Sequence, residues 1–151
     1  MIKIICVGKI KEKYLKDAIS EYNKRINKYT NLEIIEVSDR DKLPINDILD
    51  KEGNDILKYI NDKDYVVTLE IDGNSLSSLE LAEKIDTTFN NYSNIVFIIG
   101  GSYGLSDIIK KRSNYALSFS KLTFPHQLFR VILLEQIYRA YKINNNETYH
   151  K

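Results

Sequence analysis

An α/β fold with a largely parallel sheet is predicted by three features of the sequence. Apolar runs of strand length alternate with helical patterns along the whole chain. One run, Asn94 to Ile99, is almost wholly apolar, as a strand covered on both faces must be. The 151 residues, 43% of them hydrophobic, suit a single domain over 1–151. A compact chain of that size hides roughly 68–70% of its unfolded surface, so neither disulfide nor metal is needed to hold it.

The elements follow in order. Ile2 to Val7 is a β-rich apolar run closed by Gly8, the first strand. Tyr14, Leu15, Ala18, Ile19, Tyr22 and Ile26 then recur at helical spacing on one face, with lysines and an arginine around the remainder. Leu32 to Val37 is the second strand. A second helix is indicated by Ile48, Leu49, Ile56, Leu57 and Ile60, although Gly53 weakens the pattern. Tyr65 to Ile71 is the third strand, expected to end at the turn dipeptide Asp72-Gly73. Ser77 and Glu80 have the spacing of a capping box, which starts a third helix running to about Phe89. After the fourth strand comes GGSYGLS, then a short helix from near Ser106 and a fifth strand from Tyr115 to Ser118. Pro125 marks the start of the longest helix, which runs to about Ile143.

That last helix carries apolar side chains around most of its circumference, among them Leu128, Phe129, Val131, Ile132, Leu133 and Leu134. One sheet face cannot cover them all, so the helix needs apolar contact on two sides. A homodimer interface supplies the second side; deep burial within one chain is the alternative.

The net charge of +1 hides a strong asymmetry. Residues 1–30 and 101–151 each carry eight basic against three acidic side chains, whereas 31–60 and 61–100 have net charges of −4 and −5. If the two ends meet, they form a basic face able to attract a polyanion, with the acidic middle expected on the opposite face. An uneven solvated surface accounts for the same numbers without a partner. Cys6 is the one cysteine, no leader pattern opens the chain, and no apolar run approaches the ~20 residues of a membrane span. The expectation is a reduced, cytoplasmic protein with no membrane association.

Parallel sheets bind ligands at the C-terminal ends of their strands. This directs attention to Leu69–Gly73, Gly100–Leu105 and Phe119–Phe124. The glycines of GGSYGL are neither a dinucleotide fingerprint nor a phosphate-binding P-loop. A tight turn without function explains them as well as a ligand cradle does. His126 and His150 lack metal-ligand spacing, so no metal is expected. No G-x-S-x-G elbow is present, and Cys6 lies within a strand, where a small buried hydrophobe is the simpler reading.

Several segments together resemble one known family. Gly8-Lys9 after the first strand, VVTLEIDG from Val66, FIIGGSYGLS from Phe97, LSFSKLTFPHQLFRVILLEQIYRAYKI from Leu117 and the terminal YHK are similar to the ribosomal RNA large subunit methyltransferase H family, within the SPOUT superfamily. The resemblance spans essentially the whole chain. It implies a SPOUT-type parallel sheet with a C-terminal trefoil knot, a homodimer, and S-adenosylmethionine-dependent methylation of N3 of a pseudouridine in helix 69 of 23S ribosomal RNA. It places cofactor contacts on Leu69, Gly100, Phe119, Ser120, Lys121, Leu122, Thr123 and Phe124. Candidates for handling the N3 proton are His126, Tyr149 and His150, the last two on a tail expected to be flexible from Asn144. Lys9, Lys11, Lys13, Arg130, Arg139, Lys142 and Lys151 are the expected RNA contacts. A non-catalytic ribosome-binding or assembly module of the same fold is the main alternative; an unrelated flavodoxin-like small-molecule binder is another.

Overall fold

The computed structural model describes residues 1–151. Five strands, β1 (Ile2–Val7), β2 (Leu32–Val37), β3 (Tyr65–Ser75), β4 (Ile95–Ile99) and β5 (Tyr115–Ser118), form one sheet of order β2-β1-β4-β3-β5 in which every pairing is parallel. Between them lie α1 (Lys13–Ile26), α2 (Ile45–Leu57), α3 (Ser78–Thr88) and α4 (Asp107–Arg112), and α5 (His126–Asn144) closes the chain.

Side chains alternate across the sheet. Ile4, Cys6, Phe97 and Ile99 meet Ile26 of α1, Leu81, Ala82 and Ile85 of α3, and Leu133, Leu134 and Ile137 of α5. Ile5, Val7, Val96 and Ile98 meet Ile56 of α2 with Leu105 and Ile109 beside and within α4. All five residues of β4 are buried, as its continuous apolar run requires. Burial also pushes the Cys6 thiol up to about 12, so it is a core side chain at neutral pH.

The allocation of helices to faces corrects the charge expectation. The steps β1 to β2 and β3 to β4 both run leftward in the strand order, so right-handed crossovers place α1 and α3 on the same face. The basic ends do meet, because α1 packs on α5. The acidic middle is divided: α2 lies on the opposite face, but α3, with Glu80, Glu83 and Asp86, packs against α5 on the same side.

Two local expectations, the end of β3 and the place of Tyr14, are also corrected, and the glycine within α2 is explained. β3 does not stop at Asp72-Gly73 but bulges between Leu69 and Asn74 and continues beside β5 to Ser75. Gly73 is needed there for close approach, since a Cβ would lie 2.8 Å from the Ala116 backbone. Gly53 is accommodated within α2 because a Cβ would stand 2.4 Å from Ser106 Oγ, where α2 crosses the segment entering α4. Tyr14, placed by its spacing on the apolar face of the first helix, is 68% exposed in the first turn of α1. The capping box at Ser77 and Glu80 forms in both directions.

Candidate active site

Residues at the bulge of β3 and residues that follow β4 and β5 come together around one cavity of about 230 Å³. The bulge of β3, just past its pairing with β4, supplies Leu69, Glu70 and Ile71. After β4, the turn Gly100–Gly104 forms a second wall, closed by a hydrogen bond from Gly104 N to Gly101 O of 3.1 Å. This turn has no room for side chains beneath it. A Cβ on Gly100 would lie 2.6 Å from Gly104 O, and one on Gly101 would lie 2.9 Å from Val7 Cγ1. Gly104 adopts φ of +80°, which favours glycine for a different reason.

The third wall is the segment joining β5 to α5. Ser118 Oγ donates to Ile71 O at 2.8 Å, tying this segment to the extended part of β3. Leu122 N donates to Ser120 Oγ at 2.9 Å, which sets the turn that follows. The ring of Phe129 sits 4.9 Å from that of Phe119 and 5.8 Å from that of Phe124, forming an aromatic floor. Of the eight expected cofactor contacts, Leu69, Gly100, Phe119, Ser120, Leu122, Thr123 and Phe124 line the cavity. Lys121 is exposed and is not among the lining residues.

The lining contains one carboxylate, Glu70, and neither lysine nor arginine. Glu70 was not singled out from the sequence, although it directly follows Leu69 at a strand end. Its Oε2 accepts a 2.6 Å hydrogen bond from Thr68 Oγ1, whose oxygen also lies 2.8 Å from Ser113 Oγ. Apolar walls, free backbone groups and a single fixed carboxylate suit a compact ligand with a cationic centre. A polyphosphate would find no fixed cation there.

His126, the first residue of α5, lines the same cavity near Gly8 and Asp39. Tyr149 and His150 are elsewhere. The tail, expected to be flexible, folds back on the distal half of α5: the Tyr149 ring packs 5.0 Å from that of Tyr138, and Arg139 lies over it at 4.8 Å. Arg139 Nη1 is 3.1 Å from His150 Nδ1, while its Nε donates to Glu135. Helix α5 has 19 residues. Its contacts with the tail fall on Tyr138 and Arg139, 12 and 13 residues beyond His126, so at 1.5 Å per residue Tyr149 and His150 lie roughly 18–20 Å along the helix from the cavity.

The expected RNA contacts separate in the same way. Lys9, Lys11, Lys13 and Lys151 are exposed, although Lys13 pairs with Asp17 at 2.7 Å. Lys142 is engaged by Glu147 and by Tyr29, hydrogen bonds that raise its pKa. Arg130 is corrected outright: it is 2% exposed, its Nη1 donates to Glu36 Oε2 at 2.6 Å and its Nη2 to Gly8 O at 3.1 Å. The same Glu36 oxygen accepts from Ile10 N, so this pair joins the exit of β1 to the first turns of α5. Arg130→Met should therefore destabilise the fold by about 2 kcal/mol, less than the ~3–5 kcal/mol of a fully buried pair because Glu36 is one-third exposed. Chemical denaturation would show the shift; an unchanged midpoint would assign Arg130 no structural role.

The fold and cavity together define an α/β domain with a cavity built by the β3 bulge and the segments that follow β4 and β5. No helix is long and apolar enough to cross a membrane, and no group of three or more His, Cys, Asp or Glu is placed to hold a metal ion. A family model described as "Predicted SPOUT methyltransferase" matches residues 1–150. Two similar chains, each named ribosomal RNA large subunit methyltransferase H, come from Clostridium botulinum (strain Alaska E43 / Type E3) and Clostridioides difficile (strain 630). Both are 56% identical, and each match covers 99% of both chains. The solved structure of a probable methylase family protein from Haemophilus influenzae Rd KW20 shares the fold, with a TM-score of 0.58 at 13% identity over 99% of this chain and 70% of that one. The chain belongs to the ribosomal RNA large subunit methyltransferase H family of SPOUT methyltransferases.

Proposed function

We propose that this chain, as one half of a homodimer in the cytoplasm, transfers a methyl group from S-adenosylmethionine to N3 of a pseudouridine in helix 69 of 23S ribosomal RNA. The observation that carries the reading is the cavity itself: the bulge of β3 and the segments after β4 and β5 meet around it in a methyltransferase-family fold, one wall being a turn that packs tightly through Gly100 and Gly101. The trefoil knot belongs to this reading.

The residues fit the cofactor. Backbone groups of Gly100–Gly104 and of the 119–124 segment would hold its polar ends, the Phe119–Phe124–Phe129 cluster would receive its flat ring, and Glu70 offers the negative charge that a sulfonium favours. When bound, the cofactor supplies an electrophilic methyl group. The protein's own work is to bring N3 of the base into line, exclude water, and accept or relay the N3 proton. His126 stands at the cavity from within the chain. His150 and Tyr149 pack beside Arg139 and Tyr138, away from this cavity, so in this reading they serve the cavity of the partner chain. The first turns of α5 leave Leu128 42% exposed with Phe129, Val131 and Ile132 half-buried, an apolar strip that a second copy would cover.

Lys9, Lys11 and Lys151 are exposed and in this reading would contact phosphate, while shape would supply selection. Because counterions are released, affinity for ribosomes should fall steeply with salt, by about tenfold or more between 50 and 200 mM for three or more contacts. A flat response in a filter-binding assay would exclude this surface. The activity is tested with labelled S-adenosylmethionine and ribosomes lacking the modification. Label in 23S RNA supports the enzyme; ribosome binding without label would indicate a non-catalytic module.

A further inference from the structure

We propose that Tyr103 is a stacking platform for an unpaired nucleobase of the substrate RNA, next to the base that receives the methyl group. The inference rests on the reading above that the substrate is RNA.

Tyr103 is the tip of the Gly101–Gly104 turn and is 53% exposed. Most tyrosines in the chain are used internally. Tyr22, Tyr29, Tyr138, Tyr141 and Tyr149 pack on one another, Tyr65 packs on Tyr92, and Tyr115 lies under Lys84. Tyr103 has no such partner, and its mounting is rigid. The turn beneath it is closed by its own backbone hydrogen bond, abuts Val7 through Gly101, and packs Gly100 against Gly104 with no space to spare. A rigid turn carrying an unpartnered aromatic ring loses little conformational entropy when a flat ligand settles on that ring.

Position argues for the occupant. Gly101, Ser102 and Gly104, on both sides of Tyr103, line the cavity where the methyl group is to be delivered. On its other side the turn rests on the end of β1, from which Gly8, Lys9, Ile10 and Lys11 emerge with both lysines exposed. An aromatic ring between a base-modifying cavity and two free cations matches what single-stranded RNA presents: a base face to stack and phosphates to either side. The apolar dimer strip, with Leu122 and Leu128, belongs instead to the α5 side of the sheet, whereas Gly101 adjoins Val7 and Glu52 on the α2 side.

The test measures methyl transfer to ribosomes lacking the modification, with Tyr103→Ala, Tyr103→Phe, Tyr103→Trp and Tyr103→Leu in the full chain. Tyr103→Ala should raise KM for ribosomes about tenfold while leaving cofactor affinity, thermal midpoint and dimer mass unchanged. Phe and Trp should restore KM, and Leu should not. Tyr59, exposed at the opposite end of the sheet, serves as the control, and Tyr59→Ala should behave as wild type. Wild-type KM in Tyr103→Ala, full rescue by Leu, or a parallel loss of cofactor affinity or dimer would overturn the proposal. A wild-type chain that labels no ribosomal RNA would remove the underlying reading as well, so the two failures are distinguishable.

Discussion

Deleting residues 148–151 is expected to abolish methyl transfer, by at least about 100-fold, while cofactor affinity stays unchanged. The tail is held by half-buried Tyr149, which packs on Tyr138 at the edge of the main core and meets Tyr22, together with the Arg139 contacts to Tyr149 and His150. Its removal should cost about 2 kcal/mol of stability, which leaves the chain folded. A large loss of activity would thus report a role at the substrate. The geometry also sets whose substrate it is. With Tyr149 and His150 packed on Tyr138 and Arg139, roughly 18–20 Å along α5 from His126, a tail that acts in this conformation must act on the partner's cavity. Mixed dimers separate the possibilities. A chain lacking 148–151 paired with a chain carrying Gly100→Val should recover activity, because the intact tail of the second chain serves the intact cavity of the first. Inactive mixed dimers would show that tail and cavity work within one chain, and full activity of the truncated homodimer would remove Tyr149 and His150 from the account.

Gly100→Val should reduce affinity for S-adenosylmethionine by about 100-fold or more, with the dimer still folded. Even a methyl group at this position would lie 2.6 Å from Gly104 O, an atom of the backbone that cannot rotate away. The turn must move, and displacing one cavity wall at a cost of about 3 kcal/mol corresponds to about 100-fold in binding. Gly104 makes an informative contrast. Nothing lies within 4 Å of a Cβ there, but φ is +80°, so Gly104→Asn, whose side chain tolerates the left-handed region, should be much milder. Titration calorimetry measures both. Equal affinity in Gly100→Val and wild type would mean that the Gly100–Gly104 turn is not a cofactor wall.

Much of this architecture was legible because it depends on local pattern. The buried β4, the capping box at Ser77 and the proline before α5 each announce themselves within a few residues. The three segments that line the cavity could be chosen before any fold was seen, since a parallel sheet concentrates its ligand-binding turns at one end. What could not be read depends on partners distant in sequence. Arg130 looked like any other cation of a basic terminus; its partner Glu36 is 94 residues away. Asp72-Gly73 has the chemistry of a turn, but the neighbouring β5 draws it into an extended strand. The acidic α3 lies beside the basic termini because strand order, not composition, decides which face a crossover helix occupies. The positions of Tyr149 and His150 relative to the cavity depend on where a 19-residue helix ends, which no short motif states.

The central claim is that the strand-end cavity serves methylation of one base in ribosomal RNA. The most direct measurement is mass-spectrometric mapping of 23S RNA after incubation of unmodified ribosomes with this protein and labelled S-adenosylmethionine. A single new methyl group on N3 of a helix 69 pseudouridine is the predicted result. No methyl transfer by a protein that binds the cofactor, or a methyl group on another nucleotide, would contradict it.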